Sequence, residues 1–135
     1  MEMTSFDLHK IMIRAYQDSN VTSALVELIY DYFNNTAGIA KIKYDDIYKF
    51  IEVNTNNICD PIKVANDIRQ IHASFVVNTI RTTELEYLLS KDSNFETIKN
   101  MDDSDLMYMA APTVTILNIT PVNYNGSVFR INLIN

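Results

Sequence analysis

Along the first two-thirds of the chain, hydrophobic positions recur at intervals of three and four. Leu8, Ile11, Met12, Ala15 and Tyr16 make one stripe, and Thr4 followed by Asp7 resembles a capping box, so the spacing predicts a helix over 4–18. Asp18-Ser19-Asn20 reads as a break. Leu25, Leu28, Ile29, Tyr32 and Phe33 then predict a second helix over 22–35, with Gly38 as its left-handed C-cap. The short connection between the two predicts an antiparallel pair. Ile39 to Lys43 is too short to assign. Ile47, Phe50 and Ile51 share one face of a shorter expected helix over 45–53.

Asp60-Pro61 is the clearest helix start in the chain, a capping carboxylate followed by proline in the first helical position, where no N–H is needed. It predicts a long helix from Pro61 to about Ile80 with Val64, Ala65, Ile68, Ile71 and Phe75 on its buried face. Thr83-x-x-Glu86 and Ser93-x-x-Glu96 are two further capping boxes. They predict short helices carrying Leu85, Leu88 and Leu89, then Phe95 and Ile98. Asp103 to Ala110 adds a last helical turn that Pro112 stops.

The period then changes to two. Thr113 to Ile119 is β-branched and alternating, Asn125-Gly126 is a hairpin signal, and Ser127 to Asn135 alternates again with Phe129, Ile131 and Leu133 on one face. A two-residue loop at Asn125-Gly126 would set Tyr124 opposite Ser127 and Val122 opposite Phe129. Pro121, which has no N–H for a ladder, must then lie at an edge or a bulge. The expected fold is α+β: a mainly helical body of about five to six helices over 4–110, followed by a C-terminal β-hairpin or strand pair over 113–135, in a single domain spanning 1–135.

Composition narrows the chemistry. The 135 residues hold 11 Lys and Arg against 17 Asp and Glu, a net charge of -6. The basic residues are scattered, whereas binding a phosphate backbone requires a basic stripe, so no direct sequence-specific nucleic-acid binding is expected. Only 2 glycines occur, which excludes the glycine-rich loops that bring backbone N–H groups to phosphates. No run is long and apolar enough to span a membrane, and no membrane partner is expected. The single cysteine, Cys59, rules out an internal disulfide. Without a visible secretion signal the four Asn-x-Ser/Thr triplets read as chance. The expected location is the cytoplasm or a particle assembled there. Abundant Asn and Ile with no Trp point to an AT-rich genome, such as that of many phages, other viruses or low-GC bacteria.

Few residues have the spacing of a reactive centre. His9 and His72 are the only histidines, and neither has a ligand-type partner one turn away, so no metal, cofactor or catalytic residue is assigned. Cys59 with His72 is the one conceivable nucleophile pair. A buried thiol and a histidine at a helix surface are the simpler reading. Asp92-x-Asn94-x-Glu96 begins like a calcium loop but has Thr97 where that loop needs glycine and Asp103 where it needs glutamate. Asp102, Asp103 and Asp105 suit a helix N-terminus. Tyr30, Tyr48 and the Met101, Met107, Met109 group fall outside the strict stripes and suit contact surfaces.

The most informative segment is the C-terminal strand. An apolar strand left open would aggregate, so it must pair within its own sheet or with a neighbour. Val128, Phe129, Ile131, Leu133 and Ile134 are the expected interface residues, with pairing at least partly between subunits. The expected function is that of a non-enzymatic structural or assembly subunit of a phage or other virus particle, with protein partners and homo-oligomeric contacts through the helical body and the β tail. The alternative is a small acidic regulatory or inhibitory protein that binds one protein partner.

Overall fold

The computed structural model describes residues 5–81, 100–123 and 126–133. Its elements in chain order are α1 (Ser5–Ala15), α2 (Ser19–Ala37), β1 (Lys41–Asp45), β2 (Phe50–Asn54), α3 (Pro61–Ile80), α4 (Asp103–Ala110), a 3₁₀ segment (Ala111–Ile116), β3 (Asn118–Pro121) and β4 (Val128–Asn132). The class is α+β. Among the described residues there are four α-helices, against five to six expected over 4–110, and the short helices expected after Thr83 and Ser93 lie outside those residues; the sheet has four antiparallel strands in the order β1-β2-β4-β3 rather than two. The capping boxes at Thr4, Thr83 and Ser93 lie outside the described residues.

Local caps explain where the helices begin. Asp18 does not merely break the pattern. Its Oδ1 accepts from the N–H groups of Asn20 (2.8 Å) and Val21 (3.3 Å), so α2 starts three residues earlier than expected, at Ser19. Asp60 Oδ1 accepts from Ile62 N–H at 3.0 Å, and Pro61 opens α3 as expected. Asp60→Ala removes that acceptor and should cost about 1 kcal/mol, read as a lower midpoint in urea unfolding with an unchanged slope. Gly38 follows α2 with φ 75° and ψ -140°. This is a positive-φ conformation suited to glycine, but outside the left-handed helical well expected for a C-cap.

The largest departure is at 45–53, where a β-hairpin replaces the expected helix. Asp45 Oδ1 accepts from Ile47 N–H (2.9 Å) and Tyr48 N–H (2.8 Å), turning the chain, and Lys49 takes φ 54°. Ile47 sits exposed at the tip, and Phe50 and Ile51 point to opposite faces of the sheet. The apolar residues at i, i+3 and i+4 spanned too few positions to separate the two periods. Ile42 and Tyr44 with Ile51 and Val53 supply the alternation that the helix reading overlooked.

One sheet face carries Ile42, Tyr44, Ile51, Val53, Ile119, Phe129 and Ile131, all in or against the core; the other carries Lys41, Lys43, Glu52, Thr120 and Arg130. The Arg130 guanidinium lies 3.8 Å from the Phe50 ring centroid on that outer face. Helix α2 packs on the inner face, with the Phe33 and Phe129 ring centroids 5.7 Å apart. Helix α3 packs against α2, α4 and the 3₁₀ segment. Its buried face is rotated from the expected one: His72, Val76 and Thr79 are buried, while Ala65 and Ile71 are only half-buried.

At the C-terminal end, α4 ends at Ala110 as expected, and Pro112 sits in the first turn of the 3₁₀ segment that follows, where its missing N–H costs nothing. The strand expected from Thr113 therefore starts at Asn118. Pro121 lies in edge strand β3 as expected, but pairs with Phe129. The register is thus one residue away from Val122 opposite Phe129, and a longer loop joins the strands. The Asn123 side chain holds that loop by accepting from Ser127 N–H (3.0 Å) and Val128 N–H (3.1 Å). Gly126 (φ 69°) is also fixed by close approach, since a Cβ there would collide with the Cys59 carbonyl oxygen.

Candidate functional site

The expected interface residues fall in two environments. Phe129, Ile131 and Leu133 are buried in the chain's own core, Val128 is half-buried, and Ile134 lies outside the described residues. Strand β4 bonds to β2 on one side and β3 on the other, and Leu133 N–H continues the pairing onto the Lys49 carbonyl at 2.8 Å. The strand is tied down within the chain, and among the described residues β1 and β3 are the edges of the sheet.

Cys59 and His72 are not brought together. Cys59 lies in the loop before α3 and His72 is the twelfth residue of that helix, so roughly 16 Å of helix rise separates His72 from the end that carries the thiol. His72 is not a surface residue either. It is fully buried, and its Nε2 is hydrogen-bonded to Tyr16 Oη from the end of α1, with the ring centroids 6.0 Å apart. Burial pushes the imidazole down to about 4 and the Tyr16 hydroxyl well up. His72 Nδ1 is buried without a hydrogen-bond partner among the described residues.

The acidic run sits where the helix dipole favours it. Asp103 and Asp105 are in the first turn of α4, and Asp103 accepts from Arg81 Nε at 2.7 Å. Among the described residues, no three His, Cys, Asp or Glu side chains are grouped to hold a metal ion.

A groove of about 490 Å³ lies between α2 and α3, lined by Leu28, Tyr32, Asp67, Gln70, Ile71, Ser74, Phe75 and Asn78. Leu28, Ile71 and Phe75 make an apolar floor. Polar groups gather at the Tyr32 end. Tyr32 Oη and Lys63 Nζ both donate to Asp67 Oδ2 at 2.9 Å. The Lys63 and Tyr32 bonds hold the Asp67 carboxyl below its usual range. Asp67 in turn raises Lys63, and burial followed by Asp67 raises the Tyr32 hydroxyl.

These shifts carry all three groups away from neutral pH. A general acid or base works best with a pKa near the working pH. On the sequence alone Leu28 and Tyr32 belong to a core stripe, and Asp67 has no spacing that marks a reactive centre. The Lys63–Asp67 spacing of i, i+4 was the legible signal, since side chains four apart meet on a helix. No protein-family model matches the chain, and no curated protein or solved structure is significantly similar to it.

Proposed function

We propose that the protein is a non-enzymatic structural or assembly subunit, a component of a phage or other virus particle built in the cytoplasm, that works by contacting neighbouring protein subunits. The observation that supports this reading is the number of large apolar side chains left almost wholly in solvent. Ile39, Ile47, Ile58 and Ile62 are 73–83% exposed, Tyr48 is 74% exposed and Tyr108 84%. Scattered single apolar residues are ordinary. Several β-branched aliphatics this exposed on a small domain are better accounted for by surfaces that become covered. Among the described residues strand β1 adds an edge with no further strand beside it. Among the described residues no helix is long and apolar enough to cross a membrane. Native mass spectrometry of the purified chain tests the reading. A defined homo-oligomer is the expected result, and a monomer at tens of micromolar would overturn self-assembly.

A second reading, a small acidic regulatory or inhibitory protein, draws on a different observation. Helix α2 carries Glu27 and Asp31 and no Lys or Arg, beside the groove.

A further inference from the structure

We infer that the groove between α2 and α3 is a docking site for a cationic amphipathic helix of a partner protein, about three turns long. The inference goes beyond self-assembly and stands without it. The α3 wall of the groove runs from Asp67 to Asn78. Eleven steps at 1.5 Å make roughly 16 Å, the length of about three helical turns. Its floor of Leu28, Ile71 and Phe75 is apolar and partly open, with Leu28 42% exposed. An amphipathic helix reads such a groove with apolar anchors at i, i+3 or i+4, and i+7.

Charge selects the sign of the occupant. Glu27 and Asp31 immediately precede the groove residues Leu28 and Tyr32, so they flank the α2 wall on its solvent side. Both are exposed and have no ion-pair partner among the described residues. They stand one turn apart, which matches Lys or Arg pairs at i, i+4 on an incoming helix. Across the groove both bonds to Asp67 use Oδ2, leaving Oδ1 open to a further donor. Among the described residues Lys63 is the cation bonded at this rim, and Asp67 already holds it. A helix with acidic flanks would face three carboxylates, which is the repulsive element specificity requires.

The test uses the full chain and two labelled helical peptides of 14 residues. Both have leucine on one face, and their flanks are lysine in one and glutamate in the other. Fluorescence anisotropy should show binding of the lysine peptide only. The double variant Glu27→Lys/Asp31→Lys should weaken that binding on the order of tenfold and favour the glutamate peptide. Leu28→Ser, a change at a partly exposed position, should also weaken it. Binding that ignores these variants, equal binding of both peptides, or none at millimolar peptide would overturn the proposal. So would an oligomer that the lysine peptide dissociates, because a second copy would then hold the groove. A monomer that binds as described overturns self-assembly and leaves the docking site standing.

Discussion

Ending the chain after Ser127 is expected to leave no folded protein. The cut removes β4, the strand that β2 and β3 both pair with. It takes Phe129, Ile131 and Leu133, all fully buried, out of the core. Losing large buried side chains costs about 2–5 kcal/mol each, so the three together approach the roughly 5–15 kcal/mol by which a typical domain is stable. The loss also uncovers one edge of β2, a template for aggregation. Circular dichroism should show no cooperative melt, and size exclusion should show aggregate or an expanded chain. Phe129→Ala, a milder change, should fold with a loss of about 3–5 kcal/mol, because the facing Phe33 ring cannot fill the gap. A soluble, cooperatively melting truncation would place β4 outside the core and return it to contacts between subunits.

Acid should destabilise the protein through one histidine. Burial holds His72 near 4 in the folded chain, below its ordinary 6.5 when unfolded. As pH falls, the unfolded state therefore takes up the proton first. The stability that neutral His72 contributes is complete above its unfolded pKa and falls as pH drops towards 4. Lower still, both states are protonated and nothing further is lost. Across that window the loss is about 3 kcal/mol. Urea unfolding at pH 7 and 4.5 reads it directly, and His72→Phe should flatten the difference. Asp67 acts in the same direction but lower, since its carboxyl is held below 3.8 and loses its contribution only as pH falls through that range. An acid loss that survives His72→Phe undiminished would assign the effect to carboxylates instead.

The buried histidine also shows a limit of reading stripes from sequence. His72 lies beside the expected face of α3 on a helical wheel. Whether that position meets solvent or core depends on which neighbours surround the helix. Here α2, α4 and the 3₁₀ segment enclose α3 and turn its buried face towards His72, Val76 and Thr79. The groove has the same origin. Leu28 and Ile71 each look like core residues on their own helices, and only the packing of α2 against α3 leaves them as an open floor.

What the sequence determined by itself is the local punctuation of this chain. Asp60-Pro61 starts α3, Gly38 ends α2 with a positive φ, Pro121 is confined to an edge strand, and Phe129, Ile131 and Leu133 share one face. Each of these depends on groups a few residues apart, so the information lies within one window. The tertiary structure decided what long-range pairing decides. Ile51 lies opposite Ile131 and Ile131 opposite Ile119, and these partners converted 45–53 from a short helical pattern into a hairpin and made β4 an interior strand. It also set the register of β3, one residue from that implied by Asn125-Gly126. A weak local preference at 45–53 gave way to main-chain bonds on both sides of β2, because a strand interior to a sheet satisfies its N–H and C=O groups while burying Ile51 and Val53.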